Sequence, residues 1–341
     1  MKTFFLVFGM LLCLPYVSAA QGDRKDKTAV TFEELYDEPY SVNKLFVGFQ
    51  PLYGEVFATN VNAGFGIEAS YYYRDKANFR AHFRKTYSRQ FFDFTRDVAL
   101  RNSDVDNTPE VFNYYELGGT YHIKDFESSS KTKMVLYKKS YQGNKWASRV
   151  PLQAEVPCKL RKIYGVRLGG IAWNSTTDVG RALDSQGLGL DDLVTENGQG
   201  LQSFSGVTRP LEVFSNVNSV AVAVGGSYSW IRNVAVSFDK FEEGVDDGLL
   251  TLYMDILYSP LLTIDAVRYQ GTTFSTDALK TSPFGFRLGI DGKFNRTLSW
   301  AYGGEFGYRP SITGRTFFAM FKISFPIYGT NLDYKVESFG K

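Results

Sequence analysis

Three consecutive segments decide the fold: FGFRLGIDGKF at residues 284–294, LSWAYGGEFGYR at 298–309 and FFAMFKISFPI at 317–327. In each segment, apolar or aromatic residues alternate with mostly glycine, small or charged residues. A period of two predicts extended strands with one apolar face and one polar face. Strands in soluble proteins average roughly five or six residues, whereas strands that cross a bilayer need roughly nine to eleven. The three segments therefore predict membrane-spanning strands of a β-barrel.

The composition agrees with such a fold and excludes one class of function. The 341-residue chain contains 29 Phe, 22 Tyr and 32 Gly, which suits aromatic girdles and closely packed, curved strands. A mean hydropathy of −0.21 gives no expectation of helical membrane spans. A formal net charge of only +2 argues against a nucleic-acid-binding protein.

The chain divides into four predicted parts. Residues 1–20 have the pattern of a cleaved signal peptide, because Lys2 precedes an apolar core and Val17–Ala20 offers a small-residue cleavage site. Residues 21–44 are predicted to be a periplasmic N-terminal lead-in, 45–328 the transmembrane barrel, and 329–341 a periplasmic C-terminal tail.

Alternating segments between residues 45 and 328 predict about 14 strands, with 12–16 possible. Four of the weaker or shorter segments in this count are 131–141, 146–156, 234–238 and 262–269. Polar stretches at 92–110, 174–218 and 271–283 predict long outer loops. Short turns at 74–78, 126–130, 231–233 and 295–297 are assigned to the periplasmic side. Because bacterial barrels have an even strand number and short periplasmic turns, we predict an all-β fold, a single transmembrane antiparallel up-and-down β-barrel.

The signal peptide, the aromatic alternating strands and the last strand, Phe317–Phe325, together resemble Gram-negative outer-membrane β-barrel proteins. The resemblance covers essentially the whole mature chain and is porin-like in architecture, without a match to one functional family. It implies localisation in the cell outer membrane, contact with outer-membrane lipid and insertion by the barrel-assembly machinery. One departure is that the chain continues beyond Tyr328, whereas members often end on the last aromatic residue.

Charged side chains on the polar phase of the strands form the candidate site. The residues predicted to line the lumen are Arg80, Arg84, Glu116, Arg167, Asp255, Arg287, Asp291, Glu305 and Arg309. Because burial of a single charge is costly, charges of mixed sign must pair or face water. They would form either the constriction of a polar pore or an ion-pair network that braces a filled barrel. Fourteen strands enclose more volume than eight, which favours a partly open lumen.

Three functions follow from this barrel. The first is a channel or transporter for small polar solutes. The second is a non-conducting barrel subunit of an outer-membrane complex, whose partners bind loop 174–218 or the periplasmic ends. The third is an outer-membrane hydrolase that uses His82 or His122, but no Gly-x-Ser-x-Gly motif accompanies these histidines. We therefore predict that the protein is not an enzyme.

A calcium loop and an aromatic girdle are two further patterns. Asn102, Asp104 and Asp106 are spaced like the start of a calcium loop, but Asn107 stands where that loop requires Gly. We therefore expect no metal and no cofactor. The four tryptophans lie near predicted strand ends, where membrane-interface girdles belong; they are Trp146, Trp173, Trp230 and Trp300.

Overall fold

A computed structural model describes residues 30–57, 60–88, 103–110, 112–137, 152–297 and 299–329. The predicted signal peptide, the first part of the lead-in and residues 330–341 of the tail lie outside the described residues. In the described part the chain is all-β with only short helices. No helix among those residues has the length and apolarity needed to cross a membrane.

Seventeen strands are present in the described residues. In chain order they are β1 (Phe32–Asp37), β2 (Leu45–Phe57), β3 (Asn60–Tyr73), β4 (Ala77–Thr86), β5 (Asn113–Leu136), β6 (Leu152–Asp178), β7 (Phe214–Ile231), β8 (Val234–Phe238), β9 (Gly244–Asp246), β10 (Gly248–Ile264), β11 (Val267–Tyr269), β12 (Thr272–Phe274), β13 (Thr281–Ser282), β14 (Phe284–Phe294), β15 (Ala301–Tyr308), β16 (Ser311–Ile312) and β17 (Phe317–Gly329). The helices are α1 (Val179–Gln186), a 3₁₀ turn (Leu190–Asp192) and α2 (Leu201–Ser205).

Ten of these strands close into a barrel in the order β10-β14-β15-β17-β2-β3-β4-β5-β6-β7. Every pair of neighbours is antiparallel, including β17 with β2 and β7 with β10. Because neighbouring strands also follow one another along the chain apart from short inserted strands, the topology is up-and-down. This confirms the all-β antiparallel barrel predicted from the alternation.

The predicted number of about 14 strands is wrong, since the closed barrel has ten and lies below the predicted range of 12–16. The described parts of two predicted segments, 131–136 and 152–156, are not separate strands but belong to β5 and β6, which are 24 and 27 residues long. Residues 138–141 and 146–151 of these segments lie outside the described residues. The predicted turn at 126–130 is therefore mid-strand. Segment 234–238 pairs outside the barrel, and 262–269 divides between the end of β10 and β11. Local alternation cannot distinguish one long strand from two short ones.

The barrel has two unlike ends. The loop end carries the long connections after β4, β6 and β10 and the short one after β15. The terminal end carries residues 32–44, the turn between β3 and β4 and the last residues of β17. Of the long predicted loops, the described residues 103–110 and the segments 174–218 and 271–283 thus belong to one end. The short predicted turns at 74–78, 231–233 and 295–297 belong to the other.

An apolar cap closes the loop end. Its buried core includes Leu183 of α1, Leu193, Leu201 of α2 and Phe274 of β12, together with apolar residues from the barrel strands. The Asp178 side chain accepts a hydrogen bond from the Arg181 amide and caps α1. The segment predicted as one long loop, 174–218, therefore holds two helices and the ends of β6 and β7.

The lead-in from Phe32 onward folds against the terminal end. Strand β1 pairs with β8, and β8 pairs with β9, in a three-stranded sheet outside the barrel wall. The side-chain amide of Asn233 donates to the Glu38 and Ser41 carbonyls, and that of Asn295 donates to Ser41. Val42 packs in a small buried cluster with Phe46, Ile163, Ile231 and Leu249 of the barrel bore.

The tryptophans only partly follow the girdle prediction. Trp230 packs against Tyr228 on the outer face of β7, and Trp300 is 42% exposed beside Tyr302. Trp173 points inward instead, is buried, and meets Phe57 edge-on. Trp146 lies outside the described residues.

Candidate functional site

Eight of the nine charged residues predicted to line the lumen lie at inward-facing positions of the barrel strands. The ninth, Arg309, directly follows the end of β15. Arg80 and Arg84 are on β4, Glu116 is on β5, Arg167 on β6, Asp255 on β10, Arg287 and Asp291 on β14, Glu305 on β15, and Arg309 follows β15. Inward and outward positions alternate strictly on a strand. The strands therefore bring these distant residues together inside one bore.

Seven of the nine residues meet in what we call the Arg287 cluster: Arg80, Arg84, Arg167, Arg287, Glu116, Asp255 and Glu305. The Arg287 guanidinium contacts all three carboxylates. Its Nη2 lies 2.6 Å from Glu116 Oε1, its Nε 2.8 Å from Asp255 Oδ2, and its Nη1 3.4 Å from Glu305 Oε2. Arg287 is only 1% exposed, so its charge depends on these partners rather than on water.

The remaining arginines complete the pairing of the same carboxylates. Arg167 makes a bidentate contact with Asp255, with N–O distances of 2.8 and 3.0 Å. Arg80 Nη2 lies 2.5 Å from Glu116 Oε1, and Arg84 Nη2 lies 3.1 Å from Glu305 Oε1. Bidentate and charge-assisted hydrogen bonds fix both distance and plane. The cluster is therefore a rigid cross-brace between strands that are not neighbours.

Two tyrosines, which the sequence reasoning did not single out, are part of this cluster. The Tyr253 ring has the guanidinium carbons of Arg167, Arg80 and Arg287 at 4.0, 4.9 and 5.5 Å from its centroid. Tyr114 donates from its hydroxyl to Glu116 at 2.7 Å. A sequence signal for Tyr253 existed, because it lies on the inward phase of β10 two residues before Asp255.

Arg309 forms a separate ion pair nearer the loop end. Its two terminal nitrogens lie 2.9 and 3.1 Å from the two Glu55 carboxylate oxygens. Five aromatic rings surround the guanidinium with centroids 4.2 to 5.6 Å away: Phe57, Phe112, Tyr114, Trp173 and Phe318. Arg309 therefore lies at the boundary between the charged bore and the apolar cap.

Asp291, the ninth residue, joins a third group toward the terminal end. Lys322 of β17 pairs with Glu68 and, at 3.1 Å, with Asp291. His82 Nδ1 lies 3.6 Å from the same Glu68. Neither Glu68 nor Lys322 was selected from the sequence as a site residue, although both have the same alternation as the residues that were.

Together these groups fill the bore at mid-height. Arg84, Arg287 and Glu55 are each at most 1% exposed. The apolar cap lies above them and the Val42 cluster below. Ten strands enclose a narrower bore than the fourteen that favoured a partly open lumen, and the charged residues named above are paired inside it.

A cavity lies in the bore between the Arg287 cluster and the terminal end. It has a volume of about 50 Å³, and Lys293, Ser70, His82, Arg80 and Asp291 are among its lining residues. Lys293 Nζ donates to Ser70 Oγ at 2.6 Å. It also lies 4.5 Å from the ring centroid of Phe46.

The two histidines, His82 and His122, lie in different surroundings. His122 is held at the β3–β4 turn by the Asp75 carbonyl and the Asn78 side chain, at 2.9 and 3.2 Å. His82 is inside the bore beside Glu68. Within the described residues neither histidine is hydrogen-bonded to a serine hydroxyl.

The residues of the calcium-like pattern are used for contacts within the protein. Asp104 accepts from both terminal nitrogens of Arg209 at 2.6 and 2.8 Å, and from the Glu212 amide. Asp106 accepts from the Gly271 amide, while Asn102 lies outside the described residues. The hydrogen bonds from Arg209 lower the pKa of Asp104 below its ordinary value.

No protein-family model matches this chain, and no curated protein is significantly similar to it. Its function is therefore inferred from the barrel's interior, outer face and ends.

Proposed function

We propose that this chain is an integral outer-membrane β-barrel protein that does not conduct solutes and acts as an interaction subunit of an outer-membrane complex. The observation that carries membrane insertion is the polarity of the wall. Charged residues are buried in the bore, while Leu117, Leu168, Ile256 and Phe284 are each more than 60% exposed on the outside. In water this arrangement would be costly, and contiguous exposed apolar surface of this kind fits lipid.

The height of the apolar band supports the same proposal. Aromatic residues mark its lower edge on the terminal side, namely Tyr164, Tyr228, Trp230, Phe294, Trp300 and Tyr302, and its upper edge on the loop side, namely Tyr258, Phe284, Phe286, Tyr308 and Phe317. From Phe284 to Phe294 the strand rises about 33 Å at ~3.3 Å per residue. A tilt of about 40° reduces this to about 25 Å, the height of the band in outer-membrane barrels.

The filled bore supports a non-conducting role. Any solute would have to displace fully paired charges and then the apolar cap, which are two unlike barriers in series. The surfaces left for function are the ends. The loop end presents α1, α2 and β11–β12, and the terminal end presents the β1-β8-β9 sheet beside the projecting parts of β5 and β6.

A channel or transporter is the second candidate, because the polar cavity beside Lys293 occupies part of the bore. This function requires that both the cap and the Arg287 cluster move. A current that appears only after cap opening would favour it.

Reconstitution tests the two candidates together. We expect the purified chain to need detergent, to migrate differently on gels before and after boiling, and to insert into liposomes. In planar bilayers we expect no stepwise current. Extraction in buffer without detergent would overturn the membrane proposal. Stepwise conductance that changes in Arg287→Met would overturn the non-conducting role and favour the channel.

A further inference from the structure

A groove in the outer wall lies where the barrel meets the β1-β8-β9 sheet. Its volume is about 310 Å³, at the lower end of the range for small-molecule sites, roughly 300–1,000 Å³. Among its lining residues are Trp230, Leu250, Phe294 and Tyr302 of the apolar band, and Leu160, Arg232, Asp246 and Gly248 toward the terminal end. We call it the Trp230 groove. It joins an apolar part to a charged end.

Arg232 supplies the positive charge at that end. Its side chain is 37% exposed, and its Nη1 lies 3.4 Å from Asp246 Oδ2. Its Nε has no hydrogen-bond partner among the described residues. Asp246 is shared, since Thr132 Oγ1 donates to the same oxygen at 2.6 Å. Because a guanidinium has five N–H donors in a planar fork that fits phosphate, Arg232 keeps donors for an anion.

Two lysines stand beside the groove on the outward face of the wall. Lys162 is the register partner of Trp230, and Lys124 is that of Tyr164. Directly opposed residues are about 4.5–5.5 Å apart at Cβ, so Lys162 adjoins the groove wall. Lys124 lies 4.9 Å from the Phe126 ring centroid, and neither lysine pairs with a carboxylate of the described residues. Three cations therefore stand against the one carboxylate of Asp246.

This combination restricts the ligand. Basic residues at a membrane surface attract anionic lipid head groups, and Trp and Tyr belong at the same level. A free phosphate would use Arg232 and Lys162 but leave the apolar part of the groove empty. A zwitterionic lipid would bring its own cation to a site that already has three.

We infer that the Trp230 groove binds an anionic phospholipid, with its phosphate at Arg232 and Lys162 and a hydrocarbon chain along Trp230, Leu250 and Phe294. This inference rests on the proposed membrane insertion and adds the class of lipid and its place on the wall.

Native mass spectrometry of the detergent-purified chain tests the charged end. We expect saturable binding of dioctanoyl-phosphatidylglycerol, tighter than that of dioctanoyl-phosphatidylcholine or of glycerol phosphate. Each basic residue at a membrane surface contributes about fivefold in affinity. The double variant Arg232→Met, Lys162→Met should therefore weaken phosphatidylglycerol binding about 25-fold.

The control for charge is the double variant Lys44→Met, Lys76→Met. It removes two exposed positive charges at the terminal end, at β2 and the β3–β4 turn, across the ring of strands from β7 and β10. It should bind phosphatidylglycerol like the parent chain. Each variant is first compared with the parent for the same heat-modifiable gel shift, so that loss of fold is not mistaken for loss of the site.

Gly248→Leu tests the apolar part of the groove. A Cβ at Gly248 would meet only Asp246 Oδ1, at 3.8 Å, so the side chain enters the groove without displacing the backbone. Phosphatidylglycerol binding should weaken at least about fourfold, the contribution of one buried methylene group. Gly226→Leu is the matched control, because a Cβ at Gly226, elsewhere on the outward face of β7, would meet only the Gly165 carbonyl, at 3.7 Å.

Three outcomes would overturn the inference while the membrane proposal stands. They are equal binding of phosphatidylcholine, glycerol phosphate binding as tight as that of the lipid, and a loss in the Arg232, Lys162 double variant no larger than in the Lys44, Lys76 control. Extraction of the chain without detergent would overturn the membrane proposal and the lipid site together.

Discussion

The Arg287 cluster and the apolar cap fill the same bore by opposite means. The cluster joins charged side chains from six barrel strands, and nearly every contact in it is an ion pair or a cation–ring contact. The cap buries aliphatic and aromatic side chains contributed by connections as well as by strand ends. Removal of one buried charge leaves its partners uncompensated, whereas removal of one apolar side chain leaves a cavity. The cluster should therefore determine the stability of the whole barrel. The apolar side chains of the cap should mainly determine the stability of the cap.

The largest effect is expected for Arg287→Met. This change removes the cation that Glu116, Asp255 and Glu305 share, although each keeps one other arginine partner. Because several buried hydrogen bonds to charged groups are lost, each contributing about 1.5–3 kcal/mol, the free energy of unfolding should fall by about 3–5 kcal/mol. Urea titration of the detergent-folded barrel, read by the gel shift, measures it. Glu155→Gln is the control, because Glu155 pairs with Lys131 at 3.7 Å on an exposed surface, where such pairs contribute about 0–1 kcal/mol. Equal effects of the two changes would refute a bracing role.

The Arg309–Glu55 pair tests whether the charge or the packing matters where cluster meets cap. Arg309→Met alone should be strongly destabilising, because the Glu55 carboxylate remains buried without a cation. Adding Glu55→Gln should recover about 1–4 kcal/mol of that loss, since a neutral amide costs less to bury. The same urea titration gives the coupling. A double variant no more stable than Arg309→Met would mean that the aromatic rings, not the carboxylate, hold Arg309 in place.

Leu201→Ala should affect the cap and leave the barrel nearly unchanged. Leu201 is fully buried in the cap, and its amide donates to the Leu193 carbonyl. Truncation of a buried leucine costs about 2–5 kcal/mol, which should appear as faster amide exchange across residues 188–207. The urea midpoint of the barrel should shift by much less than in Arg287→Met. Leu261→Ala, at a position 62% exposed, is the control. A barrel midpoint that falls as far as in Arg287→Met would contradict the separation.

The strand alternation was sufficient to predict the barrel and the inward phase of its charges, because both depend on a local period of two. It could not predict the strand number. The outer part of β5 alternates around Lys131 in the same way as a separate strand would, and only pairing with β6 shows that the two parts are continuous. Bulges such as the shift between His122 and Lys124 also change the phase within one strand.

The candidate site was predictable in composition but not in connectivity. The sequence places Arg287 and Glu116 on inward phases, yet 171 residues separate them and only barrel closure brings them to 2.6 Å. Tyr253 was missed because an aromatic residue on the polar phase has no charge to mark it. Trp173 was assigned to the girdle only because it lies near a strand end. A side chain at a strand end can face the bore as well as the outside, and that of Trp173 is buried.

The smallest effect concerns Asp104, which fastens residues 103–110 to the edge of the cap. Hydrogen bonds from Arg209 lower the Asp104 pKa, so this contact is complete above pH about 4. It is lost as the pH falls through the lowered pKa. The Glu212 amide donates to Asp104 at 2.8 Å, so its NMR shift should titrate with a midpoint below the ordinary value for Asp. Arg209→Gln should raise that midpoint, because it removes the cation.

Since Arg209 is largely exposed, protonation of Asp104 should speed exchange of the Glu212 amide only about two- to fivefold, and the urea midpoint of the barrel should not change. A midpoint at the ordinary value in both chains would mean that the ion pair does not persist in solution, and the cap would then depend on its apolar core alone.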